Sequence, residues 1–346
     1  MDHRDFFTRL ADAVAQRAGT TPEPAQPANR DDSRCPERTD TEAPHFPTSR
    51  RDGAAFGEAV ADAWFSCGSD RLDIPLGVVA ALALHPAKSP NAAHASGLAN
   101  LIAAQPAHTL VKNYARIYAA TWLARPDLMD VATTILRWTE EDLSEDEMRG
   151  VSAATQAALR FGVLQHTGDS NPSGRANIDL LSWTITHLRH HSSRKGLGEY
   201  HTPPDVTALM APLLLDNSVT SPEPGHVFNE PTAGTGGMFR SIAQDLRGRG
   251  LDPHAYGWVM QELNPTAAAC AAVNAVIWDL GPEAVVVVGD ILSEGNLGQE
   301  ALAHQQEMHD FRNTMHDLAA FALAIDTTRR LVDALFPDGE GPKGEA

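Results

Sequence analysis

Residues Glu230 to Gly237 read EPTAGTGG, directly behind a short apolar run, His226-Val227-Phe228, and ahead of a stretch with helical spacing. That order predicts a strand, a glycine turn and a helix. Gly234, Gly236 and Gly237 lack the Cβ atoms that would keep backbone amides away from a ligand, and the helix that follows aims its positive N-terminus at the same spot. A nucleotide-like cofactor suits such a turn. The dinucleotide fingerprint requires a third glycine three residues past the second, and Phe239 stands there, which disfavours a nicotinamide cofactor. Taken alone, the turn is also compatible with no ligand at all.

The order of features downstream favours a ligand. Ala255 to Gln261, AYGWVMQ, reads as a second buried strand ending on Glu262, about where an acidic residue grips ribose hydroxyls. Asn264-Pro265 then supplies an N-cap and a first-turn proline for an Ala-rich helix from Thr266 to Leu280. A third strand, Ala284 to Gly289, holds four consecutive valines and carries Asp290 at its carboxyl end. Ligands of open α/β sheets lie outside the carboxyl ends of the strands, so Glu230, Glu262 and Asp290 are expected to converge on one crevice. Each acid taken singly also reads as a cap or a solvated charge.

At these residues the chain resembles the adenine-specific DNA methyltransferases of the type I restriction-modification methylation-subunit family. GEYHTPPDVTALM, Gly198 to Met210, looks like the family's Gly-Glu-Phe-Tyr-Thr-Pro motif, which packs around the methionine end of S-adenosylmethionine. NEPTAGTGG follows, with Glu230-Pro231 where the family usually has Asp-Pro, and then MQELNPTAAACAAVNAVI, similar to a segment whose Glu holds the cofactor ribose. The resemblance covers about 110 residues, from roughly Asp179 to Leu292. It implies an S-adenosylmethionine site drawn from Tyr200, Thr202, Pro203, Glu230, Pro231, Gly234, Thr235, Gly236, Gly237, Glu262 and Asp290, with Asp290 near the cofactor's adenine. It also implies a Rossmann-like α/β core, DNA as partner and a place in a restriction-modification or defence system.

One part of the family pattern is missing. Methyl transfer to an exocyclic amine needs acceptors for its hydrogens and a ring stacked on the flipped base. The family supplies them with an Asn/Asp-Pro-Pro-Tyr/Phe tetrapeptide after its fourth strand, and no such tetrapeptide occurs here: Asn171-Pro172 precedes the cofactor motifs and Asn264-Pro265 starts a helix. No catalytic residue is assigned. Two readings follow, an enzyme component completed by another chain or segment, and a catalytically silent cofactor-binding or interaction module.

A doubly wound sheet grows in both directions from its first strand, so three strands leave one side of that strand without its usual neighbour. C-terminal helices, a second copy or another polypeptide are the candidates to cover it. Leu318, Phe321, Ala322, Ile325, Leu331 and Leu335 recur at helical spacing and suit that packing or an ordinary helical hairpin on the core.

Composition bounds the rest. The 346 residues imply about two domains. Cys35, Cys67 and Cys270 are too far apart in sequence to form a metal or redox pair, and read as free thiols. No stretch approaches the ~18 apolar residues of a membrane span, and the N-terminus lacks a signal-peptide pattern, so a cytoplasmic protein is expected. The net charge of -18, from 45 acidic against 27 basic side chains, opposes binding to a phosphate backbone and assigns much of any DNA grip to a basic partner or specificity subunit.

Five segments are expected: an amphipathic helix in 1–19 with Phe6, Phe7, Leu10 and Val14 on one face, a disordered linker over 20–52, a helical domain over 53–165, the methyltransferase-like core over 166–297 and a helical tail over 298–346. His187 and His191 have a metal-compatible spacing, but no carboxylate or thiolate completes a set and Arg189, Arg194 and Lys195 crowd it, so no metal is assigned. HLRHHSSRK, His187 to Lys195, is the most basic patch near the cofactor motifs; it reads as a neutralised helix terminus or as a nucleic-acid contact. His304, His309 and His316 are expected on a polar face.

Overall fold

The computed structural model describes residues 50–89, 91–189, 204–215 and 222–335. Tyr200, Thr202, Pro203, the N-terminal helix, all of the linker before Arg50, and most of the basic patch lie outside the described residues.

The described chain runs α1 (Arg50–Phe65), α2 (Asp73–Ala83), α3 (Ala92–Ala103), α4 (Ala107–Ala124), α5 (Pro126–Val131), α6 (Thr133–Leu136), α7 (Glu145–Arg160), α8 (Val163–Thr167), α9 (Pro172–Arg175), α10 (Leu180–Leu188), α11 (Pro204–Leu215), β1 (Val227–Glu230), α12 (Gly237–Gly248), β2 (Gly257–Glu262), α13 (Pro265–Ile277), β3 (Ala284–Val288) and α14 (Leu297–Leu335). The molecule is therefore mostly helical around one three-stranded parallel sheet of order β1-β2-β3, an arrangement compatible with an α/β methyltransferase-like fold. Its first helix starts at Arg50, inside the segment read as linker.

Local signals place the elements. Ser144 and Glu147 form a reciprocal capping box that starts α7. Asn264 accepts the amides of Thr266 and Ala267, and Pro265 follows it at the first turn, so α13 begins where the sequence predicts. One hydrophobic core runs without a break from Phe56, Val60 and Trp64 of α1 to Trp258, Met260 and Val286 of the sheet. Arginines stitch the same junction. Arg125 donates to the carbonyl of Gly281 at 2.9 Å, Arg175 to that of Ile277 at 2.7 Å and Arg240 to those of Ala176 and Asn177 at 2.9 and 3.1 Å. Cys67 and Cys270 are free thiols, and full burial pushes the Cys270 thiol upward.

Side-chain alternation splits the strands between two faces. Trp258, Met260, Ala284 and Val286 enter the main core, whereas Val259 and Val285 pack with Ala301 of α14 on the opposite face. Both faces of β2 and β3 are covered, as parallel sheets require. β1 differs: Phe228 stacks on Trp258 at 4.9 Å, yet Val227 remains 63% exposed.

The tail corrects two expectations. Its 39 residues form one helix rather than a hairpin, because residues 299–336 contain neither glycine nor proline to turn the chain. The first half docks: Leu297 and Ala301 are buried, and Phe311 meets the edge of Trp122 at 6.1 Å. In the second half Leu318, Phe321, Ala322, Ile325 and Leu331 are exposed instead of covering the sheet. His304 and His309 do not lie on a free polar face; they meet Asp130 at 3.1 Å and Asp127 at 3.4 Å, acids from α5 that the sequence places far away. His316 is exposed, as expected of that residue.

Candidate cofactor site

Parallel pairing sets the site. Glu230 lies opposite Met260, and Glu262 opposite Val288, so the three strands end at the same edge of the sheet. The amide of Gly289 extends the ladder to the Glu262 carbonyl at 3.1 Å and carries Asp290 to that edge. With neighbouring strands about 4.8 Å apart, Glu230, Glu262 and Asp290 sit on a rim roughly 10 Å wide.

Glu262 is the centre of the rim. One carboxylate oxygen accepts the Gly234 amide at 2.7 Å and the other accepts the Asn264 amide at 2.8 Å. It thereby ties the glycine turn to the start of α13. A carboxylate offers about four acceptor positions, so two remain for hydroxyls of a ligand. Glu230 accepts the Thr232 hydroxyl at 3.3 Å, and Asp290 caps its own loop by accepting the Leu292 amide at 3.0 Å.

The glycines divide into different jobs. Gly234 and Gly236 have φ of 57° and 91°, left-handed values that L side chains rarely adopt. A Cβ on Gly236 would stand 3.2 Å from Trp278 and 3.3 Å from the Met260 sulfur, so this glycine serves the packing beneath the turn. Gly237 has no atom within 4 Å of an added Cβ and opens α12. Pro231 is exposed, next to the turn.

Thr235 is buried, and its side chain points inward. Its hydroxyl donates to Asp179 at 2.7 Å, whose other carboxylate oxygen accepts the Asn274 amide group at 2.9 Å and the Ser182 backbone amide at 2.9 Å. Asn274 also donates to the Thr235 carbonyl at 2.9 Å. Sequence alone assigns neither Asp179 nor Asn274 a role in the site. The legible signal was a lone amide in the buried run AAACAAVNAVI, where a polar group needs a partner. Beside them, burial lowers the Arg240 guanidinium pKa while Asp179 opposes that fall. His187 is engaged by the Trp183 carbonyl at 2.8 Å, and no cluster of three metal-binding side chains occurs among the described residues.

A parallel sheet carrying a glycine turn and an acidic rim at its carboxyl edge is compatible with an α/β methyltransferase-like fold. Residues 179–309 match the family model described as N-6 DNA Methylase, a similarity that spans less than half of the chain and supports a likeness of this segment to N6 DNA methyltransferases. No curated protein matches the chain. Among the described residues no helix is long and apolar enough to cross a membrane.

Proposed function

We propose that this chain binds S-adenosylmethionine at the carboxyl edge of its sheet and serves DNA adenine N6 methylation in a restriction-modification or related defence system, together with a partner that supplies the base-binding part. The observation that carries this reading is the Glu262 carboxylate, fixed by the Gly234 and Asn264 amides with acceptor positions to spare, inside the segment that matches that family model.

The residues present fit the cofactor. Gly237 leaves open space at the N-terminus of α12, where an added Cβ would meet nothing. Glu262 would accept the ribose hydroxyls, Asp290 would lie at the adenine, and Glu230, Pro231 and the backbone of Gly234 to Gly237 would line the turn. Tyr200, Thr202 and Pro203 would close the methionine end. When bound, the cofactor supplies a methyl group activated on a sulfonium. What this chain contributes is binding, orientation and exclusion of water from one side.

The receiving half of the chemistry needs other residues. No Asn/Asp-Pro-Pro-aromatic tetrapeptide occurs in the 346 residues, and a net charge of -18 works against unaided DNA binding. The test pairs calorimetric titration with S-adenosylmethionine with tritiated methyl incorporation into DNA. Binding without transfer by the chain alone is expected. Absence of binding sinks the cofactor assignment, and transfer by the chain alone, abolished by Asp290→Ala, sinks the need for a partner.

A further inference from the structure

Among the described residues, two surfaces of the core have no partner. The first is the outer edge of β1. Because the Gly257 amide donates to the His226 carbonyl, strand alternation turns Phe228 and Glu230 toward β2 and leaves the backbone groups of Val227 and Asn229 on the free side. The second is the outer face of α11. Its inner face, Thr207, Ala211 and Leu215, is buried, with the Thr207 hydroxyl 2.9 Å from that of Ser241 in α12. Its outer face is also apolar: Val206, Leu209, Met210 and Leu213 recur at helical spacing, and Leu209 and Leu213 are 65% and 68% exposed.

These surfaces belong together. Both adjoin the β1–α12 unit: α12 follows β1 in the chain and α11 packs along α12, whereas α13 covers β2 and β3. An apolar helix face beside an open parallel strand has the form of half a doubly wound sheet, in which further strands continue outward from the first. Among the described residues nothing covers it. The chain itself moves off elsewhere: after β3, α14 runs for about 58 Å at 1.5 Å per residue, against about 17 Å for a five-residue strand. It covers β2 and β3 and then projects past the sheet with its second half exposed.

The geometry points to a separate, net-basic polypeptide that adds an apolar strand parallel to β1 and packs its own apolar residues on Val206, Leu209, Met210 and Leu213. This rests on the proposed cofactor function and extends it by naming the surface that the base-binding partner takes. Charge selects the partner: two copies at -18 each repel, whereas a basic chain is attracted and brings the charge that DNA requires. Strand addition supplies main-chain bonds along the edge, and alternate side chains supply selectivity.

The test places a photo-crosslinking residue at Leu213 or at Val227 in the full chain, made at its normal level in the cells that produce it, with Asp317 as a remote control position. The expected product is a crosslink from both sites to one basic polypeptide. In the isolated complex, amide exchange should slow in 226–230 and 206–214, and Leu209→Asp with Leu213→Asp should lower the crosslink about tenfold or more. Crosslinks to a second copy, to the chain's own N-terminal segment or to nothing overturn the inference, as does a partner that leaves exchange at 226–230 unchanged. Calorimetry with S-adenosylmethionine on the same preparations separates the two ideas. Cofactor binding in a preparation where neither site crosslinks to a basic polypeptide defeats only the docking surface, and a docked partner without cofactor binding defeats only the functional reading.

Discussion

The Glu262 carboxylate accepts the backbone amide of Gly234 at 2.7 Å across 28 positions of sequence. A group read as a ligand contact is therefore also a strut of the loop that forms the site. Removing it has two costs. Glu262→Ala should weaken S-adenosylmethionine binding about tenfold or more, since a charge-assisted bond is worth about 1.5 to 3 kcal/mol. Glu262→Gln retains one carbonyl acceptor and should restore part of the thermal stability but little of the affinity. Calorimetry and thermal melting on the two variants check this; equal binding by wild type and Glu262→Ala refutes the assignment.

Gly236 and Gly237 are adjacent and should respond oppositely to substitution. Gly236→Ala forces a left-handed φ of 91° on a side chain that also crowds Trp278, so it should destabilise the fold by about 1 to 3 kcal/mol. Gly237→Val meets open space and should melt close to wild type while losing cofactor affinity. Denaturant titration separates them. A Gly237→Val protein that binds normally would show that the space beside this residue is not the cofactor's.

Asp179 joins three elements, capping α10 through Ser182, holding Thr235 of the glycine turn and pairing with Asn274 of α13. Asn274→Ala leaves one buried carboxylate oxygen and the Thr235 carbonyl short of a donor, at a cost of about 1 to 3 kcal/mol. Asn274→Leu should fare no better, because the stranded acceptors remain. Chemical denaturation gives the stability loss, and faster amide exchange at 233–236 would show that the turn loosens with it. A variant as stable as wild type would remove this network from the account of the site.

The glycine turn, its three strands and the start of α13 were legible because each is written locally. Apolar runs of strand length, glycines that the turn requires and an Asn-Pro helix start need no knowledge of the rest of the chain. Asp179 and Asn274 were not legible in the same way, since their meaning is a contact across 95 positions. The docking of His304 and His309 was hidden for the same reason. Apolar spacing in the tail revealed a helix but not its exposure. Phe311 and Phe321 look alike in sequence, yet one meets Trp122 and the other meets solvent.

The docked half of α14 should respond to pH through His304. Its hydrogen bond to Asp130, 3.1 Å away, raises the imidazole above its usual pKa near 6.5, with burial opposing and Glu307 and Asp127 adding to the rise. The folded state thus holds a proton that the unfolded chain releases first. The resulting stabilisation is fully present below the unfolded pKa and is lost as pH rises through the folded one. Amide protection in 297–311, taken relative to the intrinsic exchange rate at each pH, should consequently fall between mildly acidic and mildly alkaline buffer, while that of the exposed second half of the helix should not follow. His304→Gln keeps a hydrogen-bonding amide but cannot titrate. It should flatten the pH response over that range, and an unchanged response in this variant would assign the effect to another group.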